Sequence, residues 1–207
     1  RNSFVATLND NVAIGFDSIV CNNLFIVDGI ELHRPEERKK YGIETKFRPL
    51  STNYGNIGGQ FCYETEEVVV STDSFDFSDF LEIRWLSLFF NTIFLIGWYR
   101  DFFQFVRGCG IPVADFLLAF IGSNSQKQRQ TAHTRFIYNF ETAVKGELFS
   151  SEQDVGNHLQ EIFFKNNNDV AKPARHNVYY GARLCYIECD WIPTALWDTF
   201  LLLAGPD

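Results

Sequence analysis

Any chemistry this chain performs must come from a small set of side chains. Cys185 and Cys189 form a CxxxC pair, and soft thiolates of that kind suit zinc or an iron–sulfur cluster. On a helix the i, i+4 spacing would set both on one face. Two ligands do not complete a site, and Ile192 stands where a third cysteine of a CxxxCxxC loop would fall. Apolar core positions are the better reading for this pair, as for Cys21, Cys62 and Cys109. His33, His133, His158 and His176 lie far apart, none with a partner at a metal-binding spacing. His158 and Glu161, three residues apart on a predicted helix, read as surface decoration. No GxSxG, GxxxxGK[ST], HExxH or GxGxxG motif occurs, so a self-contained catalytic site is not supported.

The most suggestive local site is Asp28-Gly29-Ile30-Glu31, directly after a β-rich run. In α/β barrels, polar residues at the carboxyl ends of strands line the active face. A turn whose Asp and Gly serve backbone geometry alone accounts for the same residues. The aromatic stretch 75–105 could line a ligand pocket, but core packing is the simpler use of so many phenylalanines.

The elements that must position these residues follow from period and punctuation. Ser3 can cap a helix through Val5, Leu8 and Val12, with Gly15 placed to stop it. Ser18–Val27 (SIVCNNLFIV) carries apolar residues on both faces, the pattern of a strand covered on two sides as in parallel sheets. Pro35, Glu36 and Glu37, then Arg38, Lys39, Lys40 and Gly42, predict a short surface helix over 35–41. Ile43, Thr45 and Phe47 alternate with Glu44, Lys46 and Arg48, and Phe61–Val70 makes a return strand. The stretch Ser51–Gln60 between them reads as loop. Lys46 and Arg48 could pair with Glu64, Glu66 and Glu67 across the ladder, although solvated charge is preferred.

Beyond Ser71 the chain turns helical. Ser74 or Asp73 can cap a segment through Leu88, and Gly97 is the predicted break. Pro112 opens another helix through Ile121. Ser123–Gln130 is the best linker candidate. Helices are predicted over 131–149 and 151–165, split near Ser150–Ser151, then a loop at Asn166–Asp169 and a terminal helix at Pro193–Leu203. The segment 175–189 is ambiguous, and no internal repeat is visible.

The chain has 207 residues, 46% hydrophobic, with a formal net charge of −8, and it contains no methionine. The apolar share suffices for a real core, and the acidic balance argues against a nucleic-acid clamp. Five scattered cysteines do not form a secreted disulfide framework, and no basic-then-apolar leader is visible. Trp85–Tyr99 is uncharged but shorter than the roughly 20 residues of a membrane span, and it holds Ser87, Asn91 and Thr92. A buried core helix is the reading for it.

The succession LFIVDGIELHRPEERKKYGIETKFRPL (24–50) and then YETEEVVVSTDSFDFSDFLEIRWL (63–86) resembles the region after the core of cobalamin-dependent radical S-adenosylmethionine enzymes. There a late barrel strand ends in a DG turn and a Glu, followed by a short Pro/Glu…Arg…Tyr-Gly helix. A TKFR strand, an acidic strand and a TD-S…F-x-D-F-L-E-x-R helix complete the series. The likeness covers about residues 3 to 120 and rests on order and spacing rather than on one motif.

That resemblance implies a parent iron–sulfur oxidoreductase-like enzyme or methyltransferase. Such an enzyme cleaves S-adenosylmethionine reductively with a 4Fe-4S cluster, with cobalamin as a further candidate cofactor. Neither the CxxxCxxC loop nor the Asp-x-His-x-x-Gly cobalamin signature is in these residues, so no cofactor and no metal is expected in the chain itself. Residue by residue, only Asp28, Gly29 and Glu31 match the cofactor-facing end of the late strand.

The expectation is therefore an α+β chain, mostly helical, with an N-terminal βα element left from an α/β barrel, a β-hairpin and a C-terminal helical bundle. Its divisions would be 1–50, 51–122 and 123–207. It would be a substrate-side cap of a cytoplasmic enzyme, without catalysis of its own. Its partners would be the N-terminal remainder of its own chain and an unidentified small-molecule substrate, with neither nucleic acid nor membrane. The alternative is a non-catalytic helical binding or interaction module.

Overall fold

Helix capping and chain reversal place most of the elements in a computed structural model that describes residues 1–16, 19–122, 131–166 and 175–205. The predicted linker Ser123–Gln130 and most of the loop Asn166–Asp169 lie outside the described residues. The chain is mostly helical with a small antiparallel sheet, an α+β arrangement. It forms two compact units from interleaved segments. One comprises Arg1–Cys21, Leu81–Glu141 and Asn177–Asp207, and the other Asn22–Phe80 and Thr142–His176.

The second unit is built on a three-stranded sheet of order β1-β3-β2, with β1 Phe25–Ile26, β2 Glu44–Ile57 and β3 Gln60–Ser71. Gly58 and Gly59 join β2 to β3 with φ of 60° and 85°, the doubly positive pair of a two-residue hairpin turn that glycine adopts without strain. The loop expected over Ser51–Gln60 is thus strand up to Ile57. Its register shifts between Pro49 and Tyr54, where the extra residues of β2 bulge out. Tertiary packing overrides the turn-rich composition. Tyr54 is buried with Val155, Leu159 and Phe163 of α7 (Glu152–Lys165), and Ser151 caps that helix by accepting from the Asp154 N–H at 3.1 Å.

The strand expected over Ser18–Val27 is also corrected. Ser18 lies outside the described residues, and among the rest only Phe25–Ile26 form a strand, antiparallel to β3 at the sheet edge, while Val20 and Val27 are exposed. The near-continuous apolar run suggested two covered faces, but Ile26 is buried while Val20, Leu24 and Val27 stay exposed.

Charge placement in this unit departs from the solvated reading. Arg48 lies opposite Glu66 in the ladder and pairs with it at 2.7 Å, and its Nη1 reaches Glu147 at 3.2 Å. The Arg48 side chain is only 12% exposed, so Arg48, Glu66 and Glu147 form a sheltered network, whereas Glu64 is exposed and Lys46 meets Ser150. The predicted surface helix is present as α2, Pro35–Lys40. Its Arg38 donates through Nη1 and Nη2 to the two oxygens of Glu67 at 2.6 and 2.7 Å.

In the first unit, α1 (Asn2–Ile14) ends on Gly15 in the left-handed region as expected. Ser3 sits inside the first turn rather than capping it. α3 (Phe77–Phe89) is capped by Asp76, not by Ser74 or Asp73. The Asp76 carboxylate accepts from the Asp79 N–H at 2.9 Å, while the Asp76 N–H reaches the Asp79 carboxylate at 3.3 Å. A bridge from Thr72 to Phe75 uses up the earlier residues in a turn.

Past Phe89 the helix widens into a π turn, Phe90–Leu95. Gly97 at φ 82° then turns the chain by 106° into α4, Arg100–Gly108. α5 (Val113–Gly122) is capped from a distance by Asn9, whose Oδ1 accepts the Ala114 N–H at 2.8 Å. α6 (Ala132–Gly146), α8 (His176–Tyr186) and α9 (Ile192–Ala204) follow.

With no methionine to fill gaps, aromatic rings fill this core. Trp85 lies 4.6 Å from Phe140, and Phe89 sits edge-on to Phe120 at 5.2 Å. The first part of the uncharged run, Trp85–Phe90, is buried here, whereas Ile96 and Trp98 near its end are exposed. Among the described residues no single helix is long and apolar enough to cross a membrane. One helix pair, Phe77–Leu95 with Arg100–Gly108, passes that test jointly but is bent by 106°.

Candidate functional site

Asp28 and Gly29 form an exposed turn after β1, with Gly29 at φ 87°, and Glu31 opens a 3₁₀ turn through His33. The Asp28 side chain is fully exposed, and His33 Nε2 lies 3.6 Å from its carboxylate. Backbone geometry accounts for the Asp-Gly pair at this place. The cysteines are free thiols. Cys185 is buried on α8, which pushes its thiol up, and Cys189 begins a separate 3₁₀ turn. Among the described residues no three His, Cys, Asp or Glu side chains converge to hold a metal ion.

The histidines serve structure. His133 is buried between the rings of Phe120, at 4.4 Å, and Trp191, at 4.7 Å, and burial pushes it down to about 4. His158 is exposed beside Phe149, and Glu161 pairs with Lys165 instead. His176 approaches Glu147 at 3.4 Å.

A concave site does exist, in the first unit, at the elbow between the π turn and α4. It is a cleft of about 400 Å³, within the range of roughly 300–1,000 Å³ typical of small-molecule sites. Phe94, Leu95 and Gly97 form the elbow side, and Phe16, after α1, contributes a further wall. The α4 side is polar. Arg100, Gln104 and Arg107 fall at i, i+4 and i+7, one stripe along the helix, with Phe103 beneath them. Phe94 and Phe103 meet edge to face at 5.3 Å, which fixes the apolar floor.

The local sequence explains this shape. A π turn shifts the side-chain phase of a helix, and such turns recur at functional sites. Gly97 allows the reversal and lets the Arg100 guanidinium fold over it, with Nη2 3.6 Å from where a Cβ would stand. Among the described residues neither Arg100 nor Arg107 forms an ion pair, whereas Arg1, Arg38, Arg48 and Arg183 each meet a carboxylate. The arrangement can therefore accept negative charge next to apolar surface.

Sequence reasoning singled out none of the three polar residues of this stripe as a site. Their i, i+4, i+7 recurrence just after a helix-breaking glycine was the available signal. Of the aromatic stretch 75–105, Phe80, Trp85, Phe89, Phe90 and Phe103 are core, Phe77, Trp98 and Phe105 are exposed, and Phe94 reaches the cleft. No protein-family model matches the chain, and no curated protein matches it.

Proposed function

We propose that this chain is the substrate-side cap segment of a radical S-adenosylmethionine enzyme and is not catalytic alone. One observation carries the reading: the motifs behind the resemblance interlock. Arg38, from the Pro-Glu-Glu-Arg helix, holds Glu67 of the acidic strand 29 residues away. Thr45, from the TKFR strand, donates to the same carboxylate at 2.6 Å. Gly42, of the Tyr-Gly turn, is so close to Asp73 of the TDSF segment that a Cβ there would lie 2.8 Å from Asp73 Cγ. Ser71 donates to Glu44 at 2.9 Å. A run of motifs whose members depend on one another is better explained as one inherited scaffold than as chance.

In this reading the Asp28-Gly29…Glu31 turn would stand at the cofactor-facing end of the parent's late strand, whose parallel neighbours would come from the N-terminal remainder of the same chain, while Phe25–Ile26 pairs antiparallel with β3 on its other side. The 4Fe-4S cluster, S-adenosylmethionine and any cobalamin would be held by that remainder, where they supply the radical. This chain's part would be to exclude water from a reactive organic intermediate. The setting would be cytoplasmic, in keeping with free thiols.

The test is the full-length protein, reconstituted with iron and sulfide under strong reduction. Formation of 5′-deoxyadenosine from S-adenosylmethionine is the expected result, and its absence would overturn the reading. The elbow cleft favours a second reading, a non-catalytic helical binding module. A CxxxCxxC loop encoded within the couple of hundred residues before Arg1 decides for the enzyme, and a start codon directly before Arg1 for the module.

A further inference from the structure

We propose that the elbow cleft binds an amphipathic oxyanion, a carboxylate or phosphate carried on an apolar or aromatic body. The inference rests on the cleft being a binding site and deepens that reading by naming its ligand class. It does not depend on the enzyme reading.

Three observations converge. The first is charge. The protein carries a net −8, yet two guanidinium groups face one cavity without a carboxylate partner among the described residues. An arginine fork matches the planar geometry of carboxylate and phosphate oxygens. Arg100 and Arg107 are seven residues apart on α4, about 10 Å along the axis, so their long side chains can converge on one head group.

The second observation is placement. The Gly97 turn seats the Arg100 head at the mouth of the elbow, and Gln104, between the two arginines, adds a neutral donor and acceptor. The third is the floor. Phe94, locked edge to face against the buried Phe103, gives the ligand body an apolar surface beside the cationic rim. A free inorganic anion would leave that surface unused, and a neutral hydrocarbon would leave the guanidinium groups without a counter-charge.

The experiment is calorimetric titration with four probes: 4-phenylbutyrate, 1-naphthyl phosphate, the neutral 1-naphthol and inorganic phosphate. The two amphipathic anions are expected to bind at least about tenfold more tightly than either naphthol or inorganic phosphate, and more weakly as salt rises. Which anion binds better tells carboxylate from phosphate. Arg100→Gln and Arg107→Gln, both at exposed positions and folded by circular dichroism, should each weaken binding roughly tenfold. Equal binding of naphthol, or no effect of either substitution, overturns the oxyanion proposal while leaving the cleft a site. Binding of none of the four overturns both. Phe94→Ala separates the two halves of the recognition: it should weaken the amphipathic anions and leave inorganic phosphate unchanged, and any other pattern removes the aromatic floor from the proposal.

Discussion

Gly156 sets two opposed effects against each other, and the structure decides the winner. It lies buried within α7, where replacing Gly by Ala ordinarily stabilises a helix by about 1 kcal/mol. A Cβ at this position, however, would meet the Tyr63 ring of β3: Cζ most closely, then Oη at 2.5 Å and Cε1 at 2.6 Å. These atoms belong to a rigid ring held at 6.2 Å from Phe61, so relief requires swinging the whole side chain out of its contact with α7. Overpacking of this kind costs roughly 1–3 kcal/mol, at the upper end when no flexible tip can yield. Gly156→Ala should therefore destabilise by about 2 kcal/mol, lowering the urea midpoint by about 1 M for an ordinary m-value.

Leucine lacks all three clashing atoms. In a Tyr63→Leu background the same substitution should change sign and stabilise by up to about 1 kcal/mol. The resulting coupling of about 2–3 kcal/mol is within what contacting residues show. Urea unfolding of the four proteins, followed by far-ultraviolet circular dichroism, measures it. An upward midpoint shift for Gly156→Ala in the native background would refute the reasoning, and so would equal shifts in both backgrounds.

Other consequences can be checked in the same way. The Arg38 guanidinium, and secondarily the Thr45 hydroxyl, hold the Glu67 carboxyl below the usual range. The pair's stabilisation is thus complete above the unfolded carboxylate value and is lost as the pH falls through the lower, folded one. A Glu67→Gln, Arg38→Gln double-mutant cycle should give about 1–2 kcal/mol of coupling at pH 7, shrinking below about pH 4. His133, depressed to about 4 by burial, stays neutral in the fold while the unfolded chain takes up a proton near the ordinary imidazole value of about 6.5. Stability should accordingly fall by up to about 3 kcal/mol as the pH drops from 6.5 towards 4. His133→Phe should flatten that part of the pH–stability profile, and an unchanged slope would exclude His133 as its source. Gly42→Ala should cost about 1–2 kcal/mol from its φ of 58° alone, and more as Asp73 is displaced, read as a lowered melting temperature.

Features written in neighbouring residues were legible in the sequence. Pro35, the acid-then-base order and Gly42 specified α2, Gly15 ended α1, and Gly97 broke the aromatic helix, because caps and glycine φ act within one turn of chain. The period-two alternation from Ile43 to Arg48 likewise specified a strand. Features that depend on what lies across the fold were not legible. Residues 54–57 are strand because β3 pairs with them and Tyr54 packs on α7, against a composition that favours loop. Arg48 and Glu66 are sheltered because Glu147, 99 residues away from Arg48, closes over the pair. The cleft needed Phe16 brought beside residues 94–107, and its chain reversal needed the π turn to set the phase of the Gly97 corner. Local sequence thus determined the elements whose caps and period lie within a turn or two of chain. Tertiary contacts decided burial, register and concavity, since each is a relation between segments that no single segment contains.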